Sequence, residues 1–154
     1  MPTNREILID IADAFNKTAY KVCGHNIKNC IISTYKKIPK SWMDMHPDYD
    51  YLFQRGIYLA SVRNSIGHGN ACYADVSISD ICVFFEMACV GLYGNHPKMK
   101  MKLKGNSISF EAVNFENYIT KNFTDFTNDF KKTGNWQKLV YEARTILDHL
   151  GKKK

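Results

Sequence analysis

The chain lacks most of the features that assign a sequence to a familiar functional class. No apolar run approaches the ~20 residues that a membrane-spanning helix needs. The opening residues, Met1-Pro2-Thr3-Asn4-Arg5-Glu6, lack the basic and then apolar layout of a secretory signal. A Gly-rich loop of the P-loop or dinucleotide-binding kind is absent, which excludes the usual backbone cradle for nucleotide phosphates. A carboxylate cluster that would hold a divalent cation is missing too, as are internal repeats and low-complexity segments. The five cysteines, Cys23, Cys30, Cys72, Cys82 and Cys89, are odd in number and include no Cys-x2-Cys pair of the zinc-ribbon kind. Cys23, His25 and Cys30 would supply three zinc ligands, but a fourth has no obvious source. These absences predict a cytoplasmic protein with no membrane association, no metal and no cofactor.

What is present suffices for a folded domain. Apolar residues make up 45% of the chain and aromatics 13%, too much for a disordered one, and 154 residues bury a core without staples. A single domain over residues 1–154 is the simplest organisation. The net charge of +6 is unevenly placed: residues 98–154 hold 12 Lys and Arg against 6 Asp and Glu, while residues 1–97 balance at 9 against 9. A basic face gathers a polyanion by counterion release, and a solvated lysine-rich surface gives the same count.

The patterning predicts a mostly α fold, an antiparallel helical bundle with one small β-hairpin. Thr3 or Asn4 caps a first helix with Glu6 in its opening turn, and Gly24 stops it after Cys23. A second helix covers 26–37 and ends at Pro39. Residues 41–50 read as a connector with Trp42 as a buried anchor. A third helix starts near Asp48 or Asp50 and carries Tyr51, Leu52, Ile57, Tyr58, Leu59 and Val62 into the motif. Ser77 and Asp80 cap the next, which spans about 79–93, is apolar nearly all round and is closed by Gly94 and Pro97. Such a helix belongs at the centre of a bundle or in an oligomer interface. Its Cys82 and Cys89 are core residues.

Lys98, Lys100, Lys102 and Lys104 alternate with apolar residues before Gly105-Asn106, which reads as a hairpin over 98–110 with a lysine face. That face either blocks unwanted strand pairing or clamps a nucleic acid backbone. Phe115, Ile119, Phe123, Phe126 and Phe130 then form a helical stripe whose period favours core packing over base stacking. Gly134-Asn135 turns the chain into a last helix, 136–150.

The most informative stretch is Arg63-Asn64-Ser65-Ile66-Gly67-His68-Gly69-Asn70. A guanidinium is a planar fork of donors matched to phosphate, and an imidazole moves protons near neutral pH. Gly67 and Gly69 break helical geometry and present His68. The same residues would also serve as a plain helix terminus, with Gly ending the helix and a cation facing its dipole. On an unbroken helix, positions five apart differ by about 140°, so Arg63 and His68 would not share a face. Joint action needs the helix to end around Gly67, or two copies of the motif to meet across a two-fold axis.

This stretch resembles the Arg-x4–6-His signature of the HEPN superfamily. The surrounding Val62–Asn70 is similar to versions in abortive-infection and toxin–antitoxin HEPN proteins. The likeness covers the motif and its flanking helices, roughly 50–94. It implies a homodimer whose two motifs form one composite cleft, and a metal-independent endoribonuclease that leaves 2′,3′-cyclic phosphate ends. By the same resemblance Arg63 binds the scissile phosphate and His68 is the general base or acid. Asn64 orients a phosphate or holds the loop, with Ser65 and Tyr73 in support. RNA is the implied substrate, and an antitoxin or regulatory protein an implied partner, in phage defence or growth arrest. In HEPN toxins paired with a nucleotidyltransferase antitoxin, a tyrosine lies two positions after the histidine; here Asn70 stands there and the nearest tyrosine is Tyr73. The hairpin is not part of a minimal HEPN bundle. Two alternatives stay open: a non-catalytic HEPN-like module that binds nucleotide, RNA or a protein, and a helical interaction protein whose motif only caps a helix.

Overall fold

A computed structural model describes residues 2–67, 75–105, 107–112 and 123–141. Its first two helices, α1 (Asn4–Cys23) and α2 (Ile27–Lys37), have the ends their side chains dictate. Thr3 accepts the Glu6 N–H while the Glu6 carboxylate accepts the Thr3 N–H at 3.1 Å, a reciprocal capping box. Gly24 ends α1 at φ 74°, the left-handed region that only glycine enters without steric cost. Asn26 caps α2, and the Asn16 side chain accepts the Ile27 N–H at 2.9 Å, which fixes the corner between the two helices.

Residues 40–45 are a short helix, α3 (Lys40–Met45), rather than the expected connector. Met43 is its buried residue, and Trp42 is half-buried and stacked on His46 with ring centres 3.9 Å apart. Met43 lies deeper than the expected anchor Trp42: the turn of α3 points position 43 into the core, while the half-buried indole packs against the edge of it. Helix α4 (Pro47–Gly67) follows at once, opened by a proline whose missing N–H costs nothing in a first turn.

Helix α5 (Ile78–Asn95) is the centre of the bundle and packs on α1, α2 and α4. Ser77 and Asp80 close its capping box. Contrary to the expectation that no stretch is so apolar, these 18 residues have a mean hydropathy of 1.2, enough in length and composition to cross a membrane, but 61% of the helix is buried inside the fold. Ile81, Phe84, Phe85, Ala88 and Leu92 meet Leu8, Ile11, Phe15 and Ile31 there, and Phe15 contacts Phe85 edge to face at 5.5 Å.

Gly94 does not end α5 but lies inside it. A Cβ at that position would collide with the Thr34 side chain, so glycine is what lets α2 and α5 approach. Thr34 Oγ1 donates to the Gly91 carbonyl at 3.1 Å, and Asn95 Nδ2 donates to the Cys30 carbonyl at 2.8 Å across the same seam.

The expected hairpin is present. Strands β1 (Met99–Lys104) and β2 (Ser107–Ala112) pair antiparallel, with Met99 opposite Ala112 and Lys104 opposite Ser107. Met99, Met101 and Leu103 pack toward the core, and Phe110 meets Tyr93 with ring centres 5.6 Å apart. The turn is tied down: His46 Nε2 contacts the Gly105 carbonyl at 2.5 Å, while its Nδ1 contacts the Trp42 carbonyl at 2.7 Å. Helix α6 (Phe123–Thr133) lies against α5 with Thr127 and Phe130 buried and Lys131 and Lys132 exposed. Gly134, at φ 67°, turns the chain into a further helical stretch, 136–141. Phe115 and Ile119 of the expected stripe, and the last helix beyond 141, lie outside the described residues. The fold is thus mostly helical with one small two-stranded antiparallel sheet.

Candidate functional site

The first five motif residues, Arg63 to Gly67, belong to the last turns of α4. Arg63, Asn64 and Ser65 are half-buried there. His68 and Tyr73 lie outside the described residues, as does Cys72.

Arg63 does not stand alone. Its Nε and Nη2 both donate to Oδ1 of Asp13 on α1, at 3.1 and 2.5 Å. The arginine side chain is 27% exposed and the aspartate 50%, so water reaches both. An ion pair this exposed is worth about 0–1 kcal/mol, so Asp13 holds the guanidinium only weakly. Two of the five guanidinium N–H groups are used on Asp13, and the fork keeps donors for a second acceptor. Asp13 also lines an open cleft of about 430 Å³ between α1 and residues 136–141, together with Asp10, Lys17, Trp136 and Gln137. A volume of that order suits a ligand of roughly nucleotide size. Arg63 is thus linked, through Asp13, to a recess with an indole, carboxylates and an ammonium in its walls.

Two contacts hold the frame around the undescribed segment. Arg55, two turns before Arg63 on α4, makes a bidentate pair with Asp80 in the first turn of α5, Nε–Oδ1 at 2.9 Å and Nη2–Oδ2 at 3.0 Å. The hydrogen bond from Arg55 holds the Asp80 carboxyl below the usual carboxylate range, helped by the Ser77 backbone and opposed by burial. The same bond raises Arg55, whose guanidinium also lies 4.9 Å over the Tyr58 ring. The Asn4 side chain donates to the Val76 carbonyl at 2.9 Å and pins the return of the chain to the start of α1. Helix α4 before His68 and the chain after residue 75 are therefore both fixed by side-chain bonds.

The hairpin lysines are placed elsewhere. Lys102 pairs with Glu111 at 2.6 Å, Lys100 and Lys104 are exposed, and Lys98 is half-buried just before β1. Through His46 the hairpin turn is tied to the residue preceding α4, whereas Arg63 is 17 positions further on. At 1.5 Å per residue that is about 25 Å along the helix. The fold brings Arg63, Asn64 and Ser65 together at one end of α4 and fastens the hairpin turn at the other.

Asp13 and the cleft residues are what sequence reasoning missed. Asp10, Asp13 and Lys17 do share one face of α1 at steps of three and four, but nothing in that spacing names Arg63, 50 residues away, as the partner. Among the described residues no three His, Cys, Asp or Glu side chains gather as a metal site requires. No family model, no curated protein and no solved structure matches this chain.

Proposed function

We propose that the chain is a metal-independent endoribonuclease of the HEPN type, acting as a homodimer through Arg63 and His68. The observation that carries this reading is Arg63, partly exposed near the described end of α4, five residues before His68 and paired with Asp13, which lines an open cleft. In the proposed reaction the Arg63 guanidinium binds a non-bridging oxygen of the scissile phosphate and stabilises the charge that builds there. His68 takes the proton from the RNA 2′-hydroxyl or gives one to the departing 5′-oxygen. The 2′-oxygen attacks phosphorus and the 5′-oxygen leaves, which yields a 2′,3′-cyclic phosphate and restricts the enzyme to RNA. Asn64 orients the phosphate, and Ser65 and Tyr73 support the loop. His68 supplies the proton transfer and Arg63 the charge, so the scheme calls for no metal and no cofactor.

The composite site across a two-fold axis rests on the HEPN resemblance, in which the motifs of two protomers face each other. Lys98, Lys100, Lys102 and Lys104 would then hold RNA some distance from the cut, toward the start of α4. A cytoplasmic role in phage defence or growth arrest, restrained by an antitoxin or other regulatory protein, follows from the same resemblance.

One observation favours the second reading. Arg63 already has a carboxylate partner, so the motif can serve as a structural ion pair at the edge of a non-catalytic module that binds nucleotide, RNA or protein. Incubation with a mixed RNA pool in EDTA separates the two. Fragments from the wild type and none from His68→Ala support the nuclease. Binding without fragments by a folded protein supports the module.

A further inference from the structure

The turn between α1 and α2 brings two thiols together. Cys23 is the last residue of α1 and is half-buried; Cys30 lies in the first turns of α2 and is fully buried. Gly24 reverses the chain between them; the Cys30 sulfur lies 3.9 Å from the His25 carbonyl and within hydrogen-bond reach of the Cys23 sulfur. The other described cysteines stand apart, with Cys82 turned to the Thr127 carbonyl and Cys89 enclosed in the core. We propose that Cys23 and Cys30 are a redox modification site that closes to a disulfide when the chain meets hydrogen peroxide, and that thiols reopen. The proposal is independent of the nuclease reading.

Each thiol has a distinct part. The hydrogen bond from Cys30 lowers the Cys23 thiol from its ordinary range, with the Lys37 charge assisting and burial opposing. That favours the thiolate on the more accessible of the two sulfurs. The same contact and burial push Cys30 far up, so it enters second. Cys23 thiolate attacks one peroxide oxygen; the S–O bond forms, the O–O bond breaks, and hydroxide leaves to become water. Cys30 sulfur then attacks the Cys23 sulfenic acid; the S–S bond forms, the S–O bond breaks, and the Cys30 proton leaves with the hydroxyl as a second water. Two electrons pass from the sulfurs to the peroxide. Closing the bond draws the two hydrogen-bonded sulfurs to a separation of about 2 Å. The exposed residues Gly24 and His25 between the helices can absorb that approach. Burial raises Cys82 and Cys89, which makes them internal controls that stay reduced.

The test is peptide mapping of the full wild-type chain, treated with a slight excess of hydrogen peroxide under native conditions and then alkylated in denaturant. Trypsin cuts after Lys28, between the two cysteines, so a bridge holds two peptides together until dithiothreitol separates them. The expected result is a Cys23–Cys30 peptide pair that dithiothreitol resolves, with Cys82 and Cys89 alkylated. Cys30→Ala is expected to leave Cys23 as a sulfenic acid that dimedone captures; where that variant does not fold, the wild-type map decides alone. A bridge from Cys23 to Cys72, oxidation of Cys23 with Cys30 still alkylated, or an inert Cys23 would each overturn the proposal.

Discussion

Asparagine at Asp80 would keep an oxygen to accept the Ser77 N–H but leave Arg55 facing a neutral amide. The Asp80 side chain is 12% exposed and Arg55 30%, so the pair lies between a surface bridge and a buried one. Removing one partner of a fully buried pair costs about 3–5 kcal/mol, and an exposed pair is worth about 0–1. The partial access of water to Arg55 puts Asp80→Asn at about 2 kcal/mol. Asp80→Ala also breaks the capping box, worth ~1 kcal/mol more. With a urea slope of about 2 kcal/mol per molar, the unfolding midpoint should fall by about 1 M in the first variant and 1.5 M in the second. The pH dependence has a definite sign. Asp80 is depressed in the folded chain, so the unfolded state binds the proton more readily and stability rises with pH across the interval between the two values. The gap between wild type and Asp80→Asn should hold from neutral pH down to about 4, the ordinary aspartate value, and close as pH falls through the depressed one. A midpoint shift under about 0.25 M, or a gap unchanged in acid, would show that the pair does not join α4 to α5 as described.

Other perturbations probe the packing and the site. Gly94→Ala drives a methyl group into buried Thr34 and should destabilise the fold by about 1–3 kcal/mol, read as a lower thermal midpoint; no change would mean that α2 and α5 are not in such close contact. Asp13→Asn removes the charge opposite Arg63 at an exposed pair, so stability should change by less than about 1 kcal/mol while KM for RNA falls, because phosphate no longer competes with a carboxylate. A rise in KM would instead make Asp13 essential to the placement of Arg63. His46→Ala unties the Gly105 turn, and hydrogen exchange should quicken in β1 and β2 with α1 unaffected; equal protection in both would refute the tether.

Local chemistry made much of this fold legible. Thr3 with Glu6, Gly24 and Ser77 with Asp80 mark helix ends through bonds made within a few residues, and strict alternation before Gly105 marks the hairpin. What distant partners decide was not legible. Gly94 reads as a helix terminator, yet Thr34 on another helix is what requires a glycine there. Trp42 reads as an anchor because it is large, yet the turn of α3 points Met43 inward. At the site, residue types identified Arg63, but its partner Asp13 is a contact across the bundle and no local rule reaches it. The cleft that Asp13 lines arises where α1 meets the helical stretch after Gly134, which no short motif encodes.

The most direct measurement is the end chemistry of RNA cut in EDTA by the wild type, Arg63→Ala and His68→Ala, with an all-2′-deoxy copy of the substrate alongside. The expected result is 2′,3′-cyclic phosphate ends from the wild type alone, the deoxy copy intact and both variants folded but inactive. Equal cleavage by either variant, or cutting of the deoxy strand, would contradict the assignment of Arg63 and His68 to phosphodiester chemistry.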